Sequence, residues 1–245
     1  MRRSICLSVT LLALFVTGCH RSHSTSSESL SDSLESVTGT SDGALDINKM
    51  GGDIAVAEAP GGAKLHTMGG SIVVDKVEKS LEANTSGGDV TIHSANVSTL
   101  KASTMGGNID INSAQATDLQ ISTMGGNIDI GSAQAADLHA TTMGGTITAQ
   151  TLSDGSINLK SMGGTIELTI PKNSSAQIDI ELSYSLTSGQ HYTITDNLGL
   201  QQQTSSWNFS HFFPRKTIYA KGTIGSGKNH IVIRTIGGNV VLKAL

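Results

Sequence analysis

Apolar residues recur at every second position in short runs along this chain, and the runs themselves recur. After a Gly-Gly pair come Ile54/Val56, Ile72/Val74, Val90/Ile92, Ile109/Ile111, Ile128/Ile130, Ile147/Ala149, Ile166/Leu168 and Val240/Leu242. Three further columns precede the pair. The first is Leu45, Ala63, Leu81, Leu100, Leu119, Leu138, Ile157 and Ile231, and the second is Ile47, Leu65, Ala83, Ala102, Ile121, Ala140, Leu159 and Ile233. The third is mostly threonine: Thr67, Thr85, Thr104, Thr123, Thr142 and Thr235. Alternation with a period of two is the signature of a strand. The glycine pairs follow Met50, Met68, Ser86, Met105, Met124, Met143 and Met162 at spacings of 18, 18, 19, 19, 19 and 19, and an eighth follows Ile236. So regular a spacing marks stacked structural units.

Two short strands per unit, joined at a Gly-Gly corner, predict one coil of a parallel β-helix. A second corner is expected in segments such as Ser113-Ala114-Gln115-Ala116. Glycine suits a sharp corner because it tolerates positive φ and close backbone approach. One coil orders about 19 residues at roughly 1 to 2 kcal/mol each, while its five inward side chains return about 1.5 to 3 kcal/mol apiece. Stability must therefore arise between coils stacked about 4.8 Å apart, and both ends need covers.

The period breaks at Pro171 and resumes near Lys228. Between them lie Tyr184, Tyr192, Trp207, Phe209, Phe212, Phe213 and Tyr219, which are all the aromatic residues beyond Phe15. The alternation Ile178, Ile180, Leu182, Tyr184, Leu186 predicts one long strand, and Tyr192/Ile194 a second. The expectation is a wider terminal coil with a cap over the open end, and the sharper alternative is a binding platform formed by Trp207, Phe209, Phe212 and Phe213.

Arg2 and Arg3 precede an apolar run, Ile5 to Val16, that is too short for a stable membrane span and reads as a secretory signal. It ends in Leu14-Phe15-Val16-Thr17-Gly18-Cys19, which resembles the lipobox of bacterial lipoproteins. That resemblance implies cleavage before Cys19 and a lipid anchor on that cysteine, whose two or more palmitate-type acyl chains hold a protein on a bilayer without a spanning helix. Cys6 lies in the segment to be removed, so no mature disulfide is expected. From His20 to Asp42 serine and threonine dominate, a composition that cannot bury enough surface to fold and reads as a tether. The expected organisation is a leader over 1–18, a lipidated cysteine and tether over 19–43, solenoid repeats over 44–170, and an insertion with the final repeat over 171–245.

Charge and chemistry narrow the functional classes. Without Arg2 and Arg3 the 16 basic residues fall to 14 against 20 acidic ones, a balance of −6 that disfavours a nucleic-acid partner despite Arg215, Lys216 and Lys221. Asp110 and Asp129 stand in adjacent coils at a spacing near that of paired glycosidase carboxylates, and Asn108 and Asn127 could add oxygen ligands for calcium. Their column neighbours Thr91 and Thr148 are neutral, so a solvated strand face is the plainer reading. His66, His93 and His139 fall in different columns and suggest no zinc site. Lys64, Glu82 and Lys101 read as an exposed ladder. The methionines at the corners are expected to be packed; if exposed, they would form a soft apolar ridge.

The Gly-Gly-x-Ile-x-Ile repeats, Ile170-Pro171 and the closing stretch from Gly227 to Val240 together resemble a family of adhesin-like bacterial envelope proteins, over Ala44 to Leu245. The resemblance implies a right-handed β-solenoid, which crossover handedness also favours, and a place at the cell envelope. The stretch from Trp207 to Phe213 lies outside the family pattern. The expected function is a lipid-anchored, non-catalytic envelope protein whose solenoid presents a surface to an envelope glycan or protein. No cofactor is expected. A histidine in place of aspartate at position 20 favours the outer membrane in a host with two. The competing classes are a structural or stress-related envelope component and a polysaccharide-active enzyme of β-helix architecture.

Overall fold

A computed structural model describes residues 36–38, 43–186, 190–209 and 214–245. The chain forms a parallel β-solenoid, all-β, whose strands belong to one sheet. Seven successive coils of about 19 residues stack in register. The lowest consists of β2 (Leu45–Lys49) and β3 (Ile54–Ala59), with β1 (Ser36–Thr38) lying parallel beside β3. Above it, β4 (Ala63–Thr67) leads to β5 (Ile72–Thr85), β6 (Val90–Thr104), β7 (Ile109–Thr123) and β8 (Ile128–Thr142). Then come β9 (Ile147–Thr151), β10 (Ser156–Ser161) and β11 (Ile166–Ile170).

The predicted columns form the core: each holds equivalent residues of adjacent coils, as in Leu100↔Leu119, Leu119↔Leu138 and Leu138↔Ile157. All are buried except Leu45 and Ile47, which are half-buried in the lowest coil. The second corner differs from expectation. Residues β5 to β8 run through it as single strands of 14 or 15 residues, and Ala95, Ala114 and Ala133 turn inward there. Alanine is small enough to let a strand bend without breaking its ladder, so the core gains inward positions beyond the five expected per coil. The change of period from 18 to 19 also has a location. Lys79 pairs with Val97 and Ser80 with Thr99, leaving Ser98 as the extra residue of a bulge, where its hydroxyl donates to the Lys79 carbonyl at 2.8 Å.

The threonine column is a clamp between coils. Thr123 Oγ1 donates to the Gly107 carbonyl below it at 2.9 Å and accepts from Gly126 N at 3.2 Å. The same pair of bonds is made by Thr67, Thr85, Thr104 and Thr142. Ser161, which the threonine pattern misses, does so in the next coil. Close approach, not positive φ, explains the second glycine of each pair above the first: a Cβ on Gly126 would overlap the Gly107 carbonyl, and the corresponding overlap recurs from Gly70 to Gly164. Positive φ occurs only at Gly52 and Gly237 among these pairs.

The top of the stack departs from sequence order. After the Pro171 turn the chain skips one level and lays down β12 (Ala176–Ser185) and β13 (Ile194–Asp196). It then turns back through β14 (Gln201–Thr204) and β15 (Arg215–Ile224), and β15 runs antiparallel along β12. Finally β16 (Asn229–Ile236) and β17 (Val240–Ala244) fill the vacant level. Ile231 lies between Ile157 and Ile178, and Val240 between Ile166 and Ile194. The eighth repeat is thus an interior coil. The insertion supplies both the terminal coil and, in β14 and β15, its cap.

Candidate functional site

The outward acidic pair is set by the strand register. Asp110 and Asp129 are register partners on β7 and β8, both exposed. The Asp110 carboxyl lies above its ordinary pKa, first because partial burial disfavours the charge and then because Asp129 and Asp89 repel it. No cluster of three or more His, Cys, Asp or Glu side chains suited to a metal occurs among the described residues. The expected help from the asparagines is also committed elsewhere. Asn108 Oδ1 accepts from Asn127 N at 2.9 Å, and Asn127 Oδ1 from Thr146 N at 2.8 Å. Asp53 and Asp89 make the equivalent bonds to Ser71 N and Asn108 N. From Asp53 to Thr146 the position after Gly-Gly is therefore a side-chain ladder that continues the backbone bonding past the corner.

Histidines are dispersed as the columns required. His66 stands beside Asn84, His139 beside Gln120, and His93 meets Asp75 at 3.0 Å.

The aromatic insertion divides into two parts. Tyr184 is buried near the end of β12, with Tyr192 edge-on at 5.8 Å and Trp207 edge-on at 5.7 Å. Trp207 packs against the core, and Lys216 Nζ lies 5.6 Å from its ring. These three aromatics close the solenoid, a capping role that Tyr192 and Trp207 share with the strands of β14 and β15. Phe209 and Tyr219, in contrast, face outward.

Beside them is a hollow of about 600 Å³. Three of the hydroxyl residues that line it are held in place: Ser183 Oγ and Thr217 Oγ1 are 2.9 Å apart, and Ser205 Oγ accepts from Thr217 N at 3.0 Å. Trp207, Phe209, Tyr219 and Arg215 line it. Of the residues expected to form a platform, Trp207 and Phe209 thus meet at this hollow, while Phe212 and Phe213 lie outside the described residues, as does Cys19 with its leader. Sequence reasoning did not place Tyr219 or Arg215 here. Their alternation with Thr217 along one face of β15 was the available signal.

The methionine column does not pack. Met68, Met105, Met124, Met143 and Met162 are 47–55 % exposed and Met50 more so. The corner turns each side chain away from the interior that the flanking threonine and isoleucine enter, so apolar character alone misleads.

Fold and surface together define a repeat-built parallel β-solenoid with a covered upper end and an aromatic-edged hollow beside that cover. The profile of the Toastrack DUF4097 family matches residues 36–243, and the chain belongs to this family. It is a domain of unknown function with a β-solenoid, so membership carries the fold and leaves adhesion to be argued from the surface. No curated protein and no solved structure matches the chain.

Proposed function

We propose that this protein is a non-catalytic, lipid-anchored binding module of the bacterial cell envelope, that the hollow beside the cap is its contact region, and that its ligand is an envelope glycan. The observation that carries this reading is the pairing of ring faces with ordered hydroxyls. Trp207, Phe209 and Tyr219 offer apolar faces, and Ser183, Ser205, Thr217 and Arg215 offer hydrogen-bonding groups within the same hollow. A sugar has the same two-sided character, with C–H faces and a rim of hydroxyls, and sites of this kind use a few convergent polar groups to fix orientation. Lipidation at Cys19 and the serine-rich tether would hold the solenoid at a membrane surface with its cap free to reach a partner.

The test uses the full chain on a glycan array and in pull-downs from intact envelope, with Phe209→Ala and Tyr219→Ala as variants. Both residues are exposed, so these variants should melt like the wild type and lose retained glycan. Undiminished binding by both variants, or no glycan retained by the wild type, overturns the reading. Retention of a protein in place of a glycan would move the assignment to a protein partner at the same hollow. Metabolic labelling with an alkynyl fatty acid tests the anchor, since Cys19→Ser should abolish incorporation.

A further inference from the structure

The methionine column carries chemistry independent of the hollow. Met105, Met124, Met143 and Met162 occupy four consecutive coils, and Met50 and Met68 two more, with Ser86 interrupting the series. Their backbones are locked coil to coil: Gly125 N donates to the Met105 carbonyl at 3.0 Å, and Met162 N donates to the Thr142 carbonyl at 3.2 Å. Each methionine in the run of four follows a buried threonine or serine and precedes two glycines, so no charged or bulky side chain adjoins it in the chain. The result is a neutral, solvent-facing row of thioethers on a rigid support. A row spaced by the coil repeat has neighbours about 4.8 Å apart.

Thioether sulfur is a soft donor that selects Cu(I) and ions like it, whereas calcium and magnesium require oxygen. Taking the zinc–sulfur bond of about 2.3 Å as the scale, two metal–sulfur bonds in line span about 4.6 Å, close to the distance between adjacent coils. We propose that this column is a binding site for soft monovalent ions, Cu(I) or Ag(I), each bridged between the Sδ atoms of methionines in neighbouring coils. Two ions in adjacent gaps would repel at about 4.8 Å, so alternate gaps fill. The sites are Met50/Met68, Met105/Met124 and Met143/Met162, giving about three ions per chain by this charge-spacing argument. Flexible thioether side chains on a fixed backbone can align on an ion without moving the core.

The experiment loads the full chain, wild type apart from Cys6→Ser and Cys19→Ser to remove its thiols, with Ag(I), a probe that needs no reductant, in chloride-free buffer, and counts silver by mass spectrometry after gel filtration. Two double variants remove the same number of methionines from different places. Met124→Leu with Met143→Leu leaves Met105 and Met162 without neighbours. Met105→Leu with Met162→Leu preserves one adjacent pair. Both replace exposed side chains by one of similar volume, and circular dichroism checks the fold. The inner variant should lose about two of three ions and the outer variant about one, by the same pairing of neighbours. X-ray absorption on the loaded wild type should show sulfur, not oxygen or nitrogen, as the nearest neighbours of silver. Equal losses in the two variants would show that adjacency is irrelevant and overturn the proposal. Wild type that retains no silver, or variants that retain as much as wild type, overturns it as well.

Discussion

Replacing Gly126 or Gly125 by alanine makes the same chemical change one residue apart and should move stability in opposite directions. At Gly126 a Cβ would overlap the Gly107 carbonyl and come within 2.8 Å of Asn108 N. Relief requires the two coils to separate at the corner. That movement strains the bonds Thr123 Oγ1 to Gly107 O (2.9 Å), Gly126 N to Thr123 Oγ1 (3.2 Å) and Asn127 N to Asn108 Oδ1 (2.9 Å). At about 0.5 to 1.5 kcal/mol net per bond, losing these three costs roughly 1.5 to 4.5 kcal/mol. At Gly125 the new Cβ would meet the Gly106 carbonyl at 3.5 Å, an ordinary contact, and φ is not positive. Alanine there restricts the unfolded chain and should stabilise by about 0.4 to 1 kcal/mol. For a domain of this size 1 kcal/mol corresponds to about 2 to 4 °C. Gly126→Ala should therefore melt roughly 3 to 18 °C lower and Gly125→Ala about 1 to 4 °C higher, by that conversion. Circular dichroism melts measure both, and hydrogen exchange at Thr123 to Ile130 reports whether loss is local, as expected of a stack with nearest-neighbour stability. Equal shifts in the two variants would refute the assignment of the second glycine to close approach.

Four further outcomes follow from the same geometry. Thr123→Val keeps the shape but leaves the Gly107 carbonyl and Gly126 N–H without the hydroxyl, and should lower stability by about 1 to 3 kcal/mol; Thr123→Ser should recover much of it, since Ser161 performs the same task. Asp110→Asn should raise the melting temperature at pH 7, because the raised carboxyl pKa means the fold gains stability as Asp110 is protonated and loses it as pH rises through that value; the difference should vanish in melts below the ordinary carboxylate range. Asp196 has the opposite sign. Burial raises its pKa, but hydrogen bonds from Leu200 N, Gln202 and Leu198 N outweigh this and lower it, so Asp196→Asn should melt lower at pH 7, with the deficit closing as pH falls through the lowered value. A chain ending at Gly227 lacks β16 and β17 and leaves β10, β11, β12 and β13 without their shared partners; it should show no cooperative melt and should bind a hydrophobic dye, whereas a native-like melt would contradict the interior position of the eighth repeat.

Much of this fold was legible because two periods are superimposed: alternate positions point inward, and coils repeat about every 19 residues. Column membership follows directly, as Leu119 and Leu138 illustrate. The level of a coil does not. Ile231 matches the column equally well above Ile157 or above Ile178, and only the folded backbone places it between them. Methionine exposure was hidden for a different reason, since hydropathy suggests burial while a tight corner turns Met124 outward. At the aromatic insertion, composition identified the region, but the division between Tyr184 in the cap and Phe209 at the hollow depends on which face of β12 and β15 each side chain occupies. The oxygen ladder through Asn108 and Asn127 shows the converse. Residues that resemble ligands by type are occupied in bonding the next coil.

The register from β6 to β8 makes length an adjustable property of this protein. Because the bulge at Ser98 falls in β6, the lowest of these strands, and the insertion lies above them, a 19-residue unit taken out or duplicated above the bulge would leave both ends unchanged. Each such step would alter the height of the column by about 4.8 Å and add or remove one corner methionine. Tandem duplication and deletion of coding sequence could therefore tune reach from a surface in fixed increments, without redesign of the cap.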